Sequence, residues 1–137
     1  MTVRVRQDRQ NKEFPWHLQY LGRSEIGDKS RATMVRSCID VACSEKICDF
    51  LTEMGFKLSF TYLAKGYLFK KGRMKVIVAK VAKEGDNEQE VFITNSYLVE
   101  VSVVAPSGQD ALGDEIRSFA DQLKPLVNLD KIDSRRL

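Results

Sequence analysis

Large apolar residues occupy every second position of Phe56-Lys-Leu-Ser-Phe-Thr-Tyr62, with Lys57, Ser59 and Thr61 between them. A period of two belongs to a strand with one face buried. Tyr97, Val99, Val101 and Val103 repeat the pattern, alternating with Leu98, Glu100 and Ser102, and Thr33, Val35, Ile39 and Val41 follow it more loosely within 31–43. Residues 73–82 are apolar on both faces at Val76, Ile77 and Val78, as a central strand is. Lys70-Lys71-Gly72 separates that segment from the one ending at Phe69, and Gly72 can take the positive φ that a tight hairpin demands. These two strands are therefore expected to be antiparallel neighbours. Two shorter strands, 2–7 and 16–21, come first.

Two segments change to a helical period. In the first, Ser44 is placed to cap a helix N-terminus, Ile47, Phe50, Leu51 and Met54 form one stripe, and Gly55 stands where a C-terminal cap belongs. The second runs from about Asp110 to Lys124, with Leu112, Ile116, Phe119 and Leu123 on a single face and Pro125 to end it. Between them, Glu84-Gly-Asp-Asn-Glu-Gln-Glu90 reads as an exposed hairpin loop. The predicted fold is α+β: a mainly antiparallel sheet, large enough to curl or close, with two helices.

At 137 residues the chain suits one domain, 1–137, and the composition (43% hydrophobic, 30% charged, 8 Gly, 3 Pro) is that of a globular protein. No apolar run approaches the roughly 20 residues of a membrane helix. The opening Met-Thr-Val-Arg-Val-Arg has no apolar run behind its basic residues, so no secretory signal is expected. Cys38, Cys43 and Cys48 match neither a CxxC pair nor a zinc ribbon and suggest reduced thiols of the cytosol or nucleus.

Charge is sorted along the chain. The net +3 conceals eight basic and four acidic residues in 1–36, one against four in 37–56, eight against none in 57–83, and five against eleven from 84 onward. Such a cationic stretch fits a nucleic-acid surface. It fits equally well a fold in which basic strands pair with acidic neighbours.

Catalytic signatures are sparse. His17 is the only histidine, and nothing around it supports a nucleophilic triad; a surface imidazole on a strand is the simpler reading. The three cysteines read as small core hydrophobes rather than metal ligands. Glycines stand singly, so no phosphate-binding loop can be assembled. Lys65-Gly-Tyr-Leu-Phe69 partly matches an RNA-recognition signature, but Leu68 occupies the small-residue position and Lys70 falls where an apolar residue belongs. Phe60, Tyr62, Tyr67 and Phe69 among lysines could stack on a single strand, or pack in a core. A metal-dependent phosphohydrolase with a triphosphate-binding barrel is the alternative enzymatic reading. It would draw cations from Arg73, Lys75 and Lys80, yet the strands offer only Asp40 and Glu100 as acids, and Glu88 and Glu90 lie at a loop. No catalytic residue, metal ligand or cofactor site is assigned.

Five collinear stretches, 15–22, 49–56, 64–69, 96–106 and 122–127, together with Lys131-Ile-Asp133 and the Arg136-Leu137 ending, closely resemble the Mediator subunit 18 family. That resemblance implies a non-catalytic subunit of the Mediator head module, a nuclear coactivator, built on a barrel like that of the triphosphate-tunnel enzymes without their activity. It implies pairing with subunit 20, capture of a helix from subunit 8, and coupling of regulators to RNA polymerase II, with no cofactor, no membrane and no direct nucleic-acid contact expected. Family members carry a further strand, helix and strand ahead of Val3. The chain is thus expected to supply the C-terminal portion of a barrel, with 128–137 as a tail, and to leave backbone donors beside the gap exposed. Contact is expected through an apolar groove and an open sheet edge. Trp16, Tyr20, Tyr67 and Phe69 are the candidate partner-binding residues, since aromatics contribute most per residue at interfaces; each could instead be core.

Overall fold

The computed structural model describes residues 1–24, 33–83, 91–106 and 111–131. Its contacts divide the chain into two compact units, the first from the described residues of 1–28 and 34–58, the second from those of 29–33 and 59–132. Each has its own antiparallel sheet, and among the described residues no barrel closes.

The first unit holds β1 (Val3–Arg6), β2 (Trp16–Ser24), β3 (Arg36–Cys43) and α1 (Ile47–Glu53), with the strands in the order β1-β2-β3. In the β1–β2 connection the Asp8 carboxylate accepts the backbone N–H groups of Gln10 (2.9 Å) and Asn11 (3.2 Å), an Asx turn. Those bonds, Gln10 first, hold its carboxyl below the usual aspartate range. The predicted 16–21 strand runs on to Ser24 because its register against β3 shifts between Leu21 and Ser24. There the Arg36 guanidinium Nε–H donates to the Gly22 carbonyl at 2.7 Å. β3 is shorter than expected: Thr33 and Val35 precede it, and 31–32 lie outside the described residues.

Ser44 does not cap α1 with its side chain. Only its carbonyl takes part, accepting from Ile47 N–H (3.1 Å), while Lys46 holds the N-cap position. The C-terminus is as predicted. Gly55, at φ +97°, donates to the Thr52 carbonyl, and Phe56 N–H donates to Leu51, the paired bonds of a Schellman cap. Of the predicted stripe, Ile47 and Leu51 are half-buried but Phe50 and Met54 are exposed.

The second unit centres on β5 (Met74–Lys83). β4 (Leu63–Lys71) pairs along one side; β7 (Leu98–Val103) and the two-residue β6 (Val91–Phe92) share the other. The apolar run at Val76–Val78 is therefore a central strand, as its pattern predicts. The turn falls at Gly72 and Arg73, because β4 runs two residues beyond Phe69, with Gly72 at φ +60°. α2 (Ala111–Leu123) lies against β7 and half-buries Leu112, Ile116, Phe119 and Leu123.

Residues 56–62 form no strand. Their alternation is intact, yet Leu58 is 83% and Phe60 74% exposed, and no described strand runs beside them. A strand exists only by its ladder. The 84–90 loop lies outside the described residues, as do Asp110 and the ending from Ile132.

Candidate functional site

Register decides which side chains share a sheet face, because residues directly opposite one another point the same way. In the first unit Val3 faces Tyr20 and Val5 faces Leu18, while Trp16, Leu18 and Tyr20 face Cys43, Val41 and Ile39. All eight are apolar or aromatic. Candidates Trp16 and Tyr20 thus sit on one continuous face, half-buried, whose outer part is open: Ile39 is 58% and Val41 49% exposed.

The opposite face is polar. Asp40 accepts Arg6 Nη2–H at 2.7 Å and lies 3.2 Å from His17 Nδ1. His17 is accordingly a surface imidazole on a strand, with its side chain 45% exposed. Asp40 is engaged in this cluster, and Glu100, the other candidate acid, belongs to the second unit opposite Ile77. Among the described residues no three His, Cys, Asp or Glu side chains gather closely enough to hold a metal. Cys38 and Cys43 are half-buried free thiols, Cys43 Sγ–H donating to the Trp16 carbonyl (3.3 Å), but Cys48 is exposed on α1 rather than in a core.

In the second unit Tyr67 and Phe69 stand two apart on β4 and so on one face, with ring centroids 6.2 Å apart. Opposite them lie Val78 and Val76, and beyond those Val99 and Val101. Tyr67 is 68% and Phe69 55% exposed, so neither is core. Lys80 rises from this same face between two rings, 5.4 Å from Phe92 and 4.9 Å from Tyr97, and Lys71 lies 5.2 Å from the Phe119 ring of α2. Cation–π contact lets both ammonium groups rest on an otherwise greasy surface.

The structure thus brings Trp16 together with Tyr20 and Tyr67 together with Phe69, each pair in a separate unit. Ile39 and Val41, missed as surface residues, extend the first face, and Phe92 and Tyr97 extend the second. The alternation of Ile39, Val41 and Tyr97 was visible in the sequence; their exposure depends on what covers them. The ladder sets Lys65 opposite Lys80 and Lys70 opposite Lys75, while on its other side β5 pairs with β7, which carries Glu100. Gly66, which gave the stretch 65–69 its likeness to an RNA signature, has a packing reason. A Cβ there would lie 2.0 Å from the Val78 carbonyl oxygen.

A family model described as "Med18 protein" matches residues 2–137.

The chain belongs to the Med18 family.

Relatives at high identity bear the same designation. The Aedes aegypti protein named "Mediator of RNA polymerase II transcription subunit 18" is 54% identical over 136 residues, covering 99% of this chain and 61% of its own length. Similarly named proteins of Danio rerio and Xenopus tropicalis are each 50% identical, with 98% and 99% of this chain covered against 66% and 67% of theirs. This Med18 chain therefore spans roughly three-fifths to two-thirds of such relatives. Among solved structures, the Schizosaccharomyces pombe Mediator head module contains a chain with a TM-score of 0.69 at 15% identity, covering 92% of this chain and 68% of that one. At that identity the likeness speaks to fold alone. It agrees with the α+β, antiparallel-sheet architecture of this Med18 member.

Proposed function

We propose that the chain acts as a non-catalytic docking subunit of the nuclear Mediator coactivator, pairing with subunit 20, holding a helix of subunit 8, and coupling regulators to RNA polymerase II. What carries the reading is 54% identity across nearly the whole chain to a protein named Mediator subunit 18. What supports a docking role physically is the pair of open apolar faces, one around Trp16, Tyr20, Ile39 and Val41, the other around Tyr67 and Phe69. Exposed apolar patches rimmed by polar residues mark interaction surfaces, and aromatic anchors supply most of their energy. The four aromatics are the contact residues of this proposal. β1, β3, β4 and β7 each leave one edge unpaired among the described residues, offering backbone groups for strand addition as well. The two units then serve as parts of one barrel-type domain, 1–137, with 128–137 as its tail.

Co-expression with subunits 20 and 8, followed by size-exclusion chromatography, tests the proposal. One complex containing all three chains is expected. Monodisperse protein that elutes alone in the presence of both would overturn it.

A further inference from the structure

The lysine pairs of the second sheet are not distributed alike. Lys65 and Lys80 lie on the aromatic face, where Lys80 has two rings to rest on. Lys70 and Lys75 lie directly opposite one another on the other face, at the turn end of the β4–β5 hairpin. Among the described residues neither has a carboxylate within ion-pair distance or a ring beneath it. Like charges directly opposite across a ladder are unfavourable, and an anion placed between them removes the repulsion. One step along the same face, Leu68 stands opposite Ile77; Leu68 is 56% exposed and Ile77 half-buried. A cationic row and an apolar row are therefore adjacent, two residues apart on each strand.

We propose that this face of the β4–β5 hairpin docks an acidic peptide in which carboxylates are interspersed with apolar side chains. Two residues of extended chain span about 6.5 Å, the same step that separates Leu68 from Lys70, so alternate peptide side chains reach the two rows in turn. A nucleic acid fits less well. The rings that could stack on bases, Tyr67 and Phe69, point to the opposite face. Glu100, opposite Ile77 on β7, shares the face with the lysines and ends the positive region after one row. One or two discrete carboxylates suit that layout better than a run of phosphates. This surface is independent of the four aromatic contacts proposed above.

Fluorescence anisotropy on the full 137-residue chain tests the proposal, with a short labelled synthetic peptide carrying Glu and Leu two residues apart, with Ser between them, as the probe. Saturable binding is expected, weakening about tenfold in the Lys70→Glu variant and staying within about twofold of the parent in Lys70→Arg, as charge-dependent contacts do. A Gln-for-Glu peptide is expected to bind at least about tenfold more weakly than the Glu peptide. Raising salt from about 50 to 200 mM is expected to weaken the parent complex and to leave the residual binding of Lys70→Glu nearly flat. Lys70→Glu sets opposite charges across the ladder, so its melting midpoint should match or exceed the parent's and loss of binding is not loss of fold. Undiminished binding by Lys70→Glu, absence of saturable binding, or tighter binding of a single-stranded oligonucleotide of equal charge would each overturn it.

Discussion

Replacing Gly66 by Ala sets two physical effects against each other. Glycine inside a strand costs backbone entropy, and propensity alone says that Ala should stabilise β4 by about 0.5–1 kcal/mol. Geometry says otherwise. The new methyl would stand 2.0 Å from the Val78 carbonyl oxygen, 2.6 Å from the Ala79 Cα and 2.9 Å from the Val78 carbonyl carbon. All three are backbone atoms of the central strand, so no side chain can swing away. Relief requires β4 and β5 to separate by about an ångström, which overpacks or distorts the site at about 1–3 kcal/mol. It also weakens one or two ladder hydrogen bonds, at about 1 kcal/mol each. Clash outweighs propensity, for a net loss of about 3 kcal/mol. With a urea slope of about 2 kcal/mol/M, the midpoint should fall by about 1.5 M. Gly72→Ala is the control. Its φ of +60° is strained for Ala but nothing lies within 4 Å of the added methyl, so it should cost only about 1–2 kcal/mol. Circular dichroism of urea-titrated protein measures both. A Gly66→Ala variant within about 1 kcal/mol of the parent, or one no worse than Gly72→Ala, would refute the reasoning.

Asp8 makes stability depend on acid. Its carboxyl is held below the ordinary value of about 3.9, so the stabilisation is present above that pH and disappears as pH falls through the lower folded value. Asp8→Asn should flatten the urea midpoint in that window and leave it unchanged in slope above about pH 5, as followed by urea titration across pH. Asp40→Asn keeps the shape but removes the charge that Arg6 and His17 share; with all three side chains more than a third exposed, the loss should stay below about 1 kcal/mol and shrink in high salt. Tyr67→Ala with Phe69→Ala should change the urea midpoint little, because both rings are already exposed, yet weaken recovery of a partner complex in pull-downs by at least about tenfold.

Much of this fold was legible because period-two alternation reports which side of a strand is apolar. β5 announced its central place by being apolar on both sides, and α2 by its single stripe. What alternation cannot report is the neighbour. Phe56, Leu58, Phe60 and Tyr62 alternate as well as Tyr97 to Val103 do, but only the latter find a ladder. Ile39 and Val41 read as core, although cover for them is a matter of tertiary packing, and the half-buried places on β3 go to Arg36, Cys38 and Cys43. Ser44 carried the right chemistry for a cap two residues too early in the chain's path, and the backbone of Lys46 took the position. Trp16 and Tyr20 are four apart and Tyr67 and Phe69 two apart, even spacings that in a strand set each pair on a common face. Lys80 between its two rings could not be foreseen, since that contact depends on β6 and the residue before β7 arriving beside β5.

The buried apolar side chains among the described residues, Met74, Val76, Ala79 and Ala82, all belong to β5. Flanked along its length by hydrogen-bonded neighbours, that strand is where water penetrates last. Its amides should exchange for deuterium most slowly, while those of α1, which has no fully buried side chain, should equilibrate early. Persistence in this protein is concentrated in a single ribbon, leaving the periphery free to settle against whatever it meets.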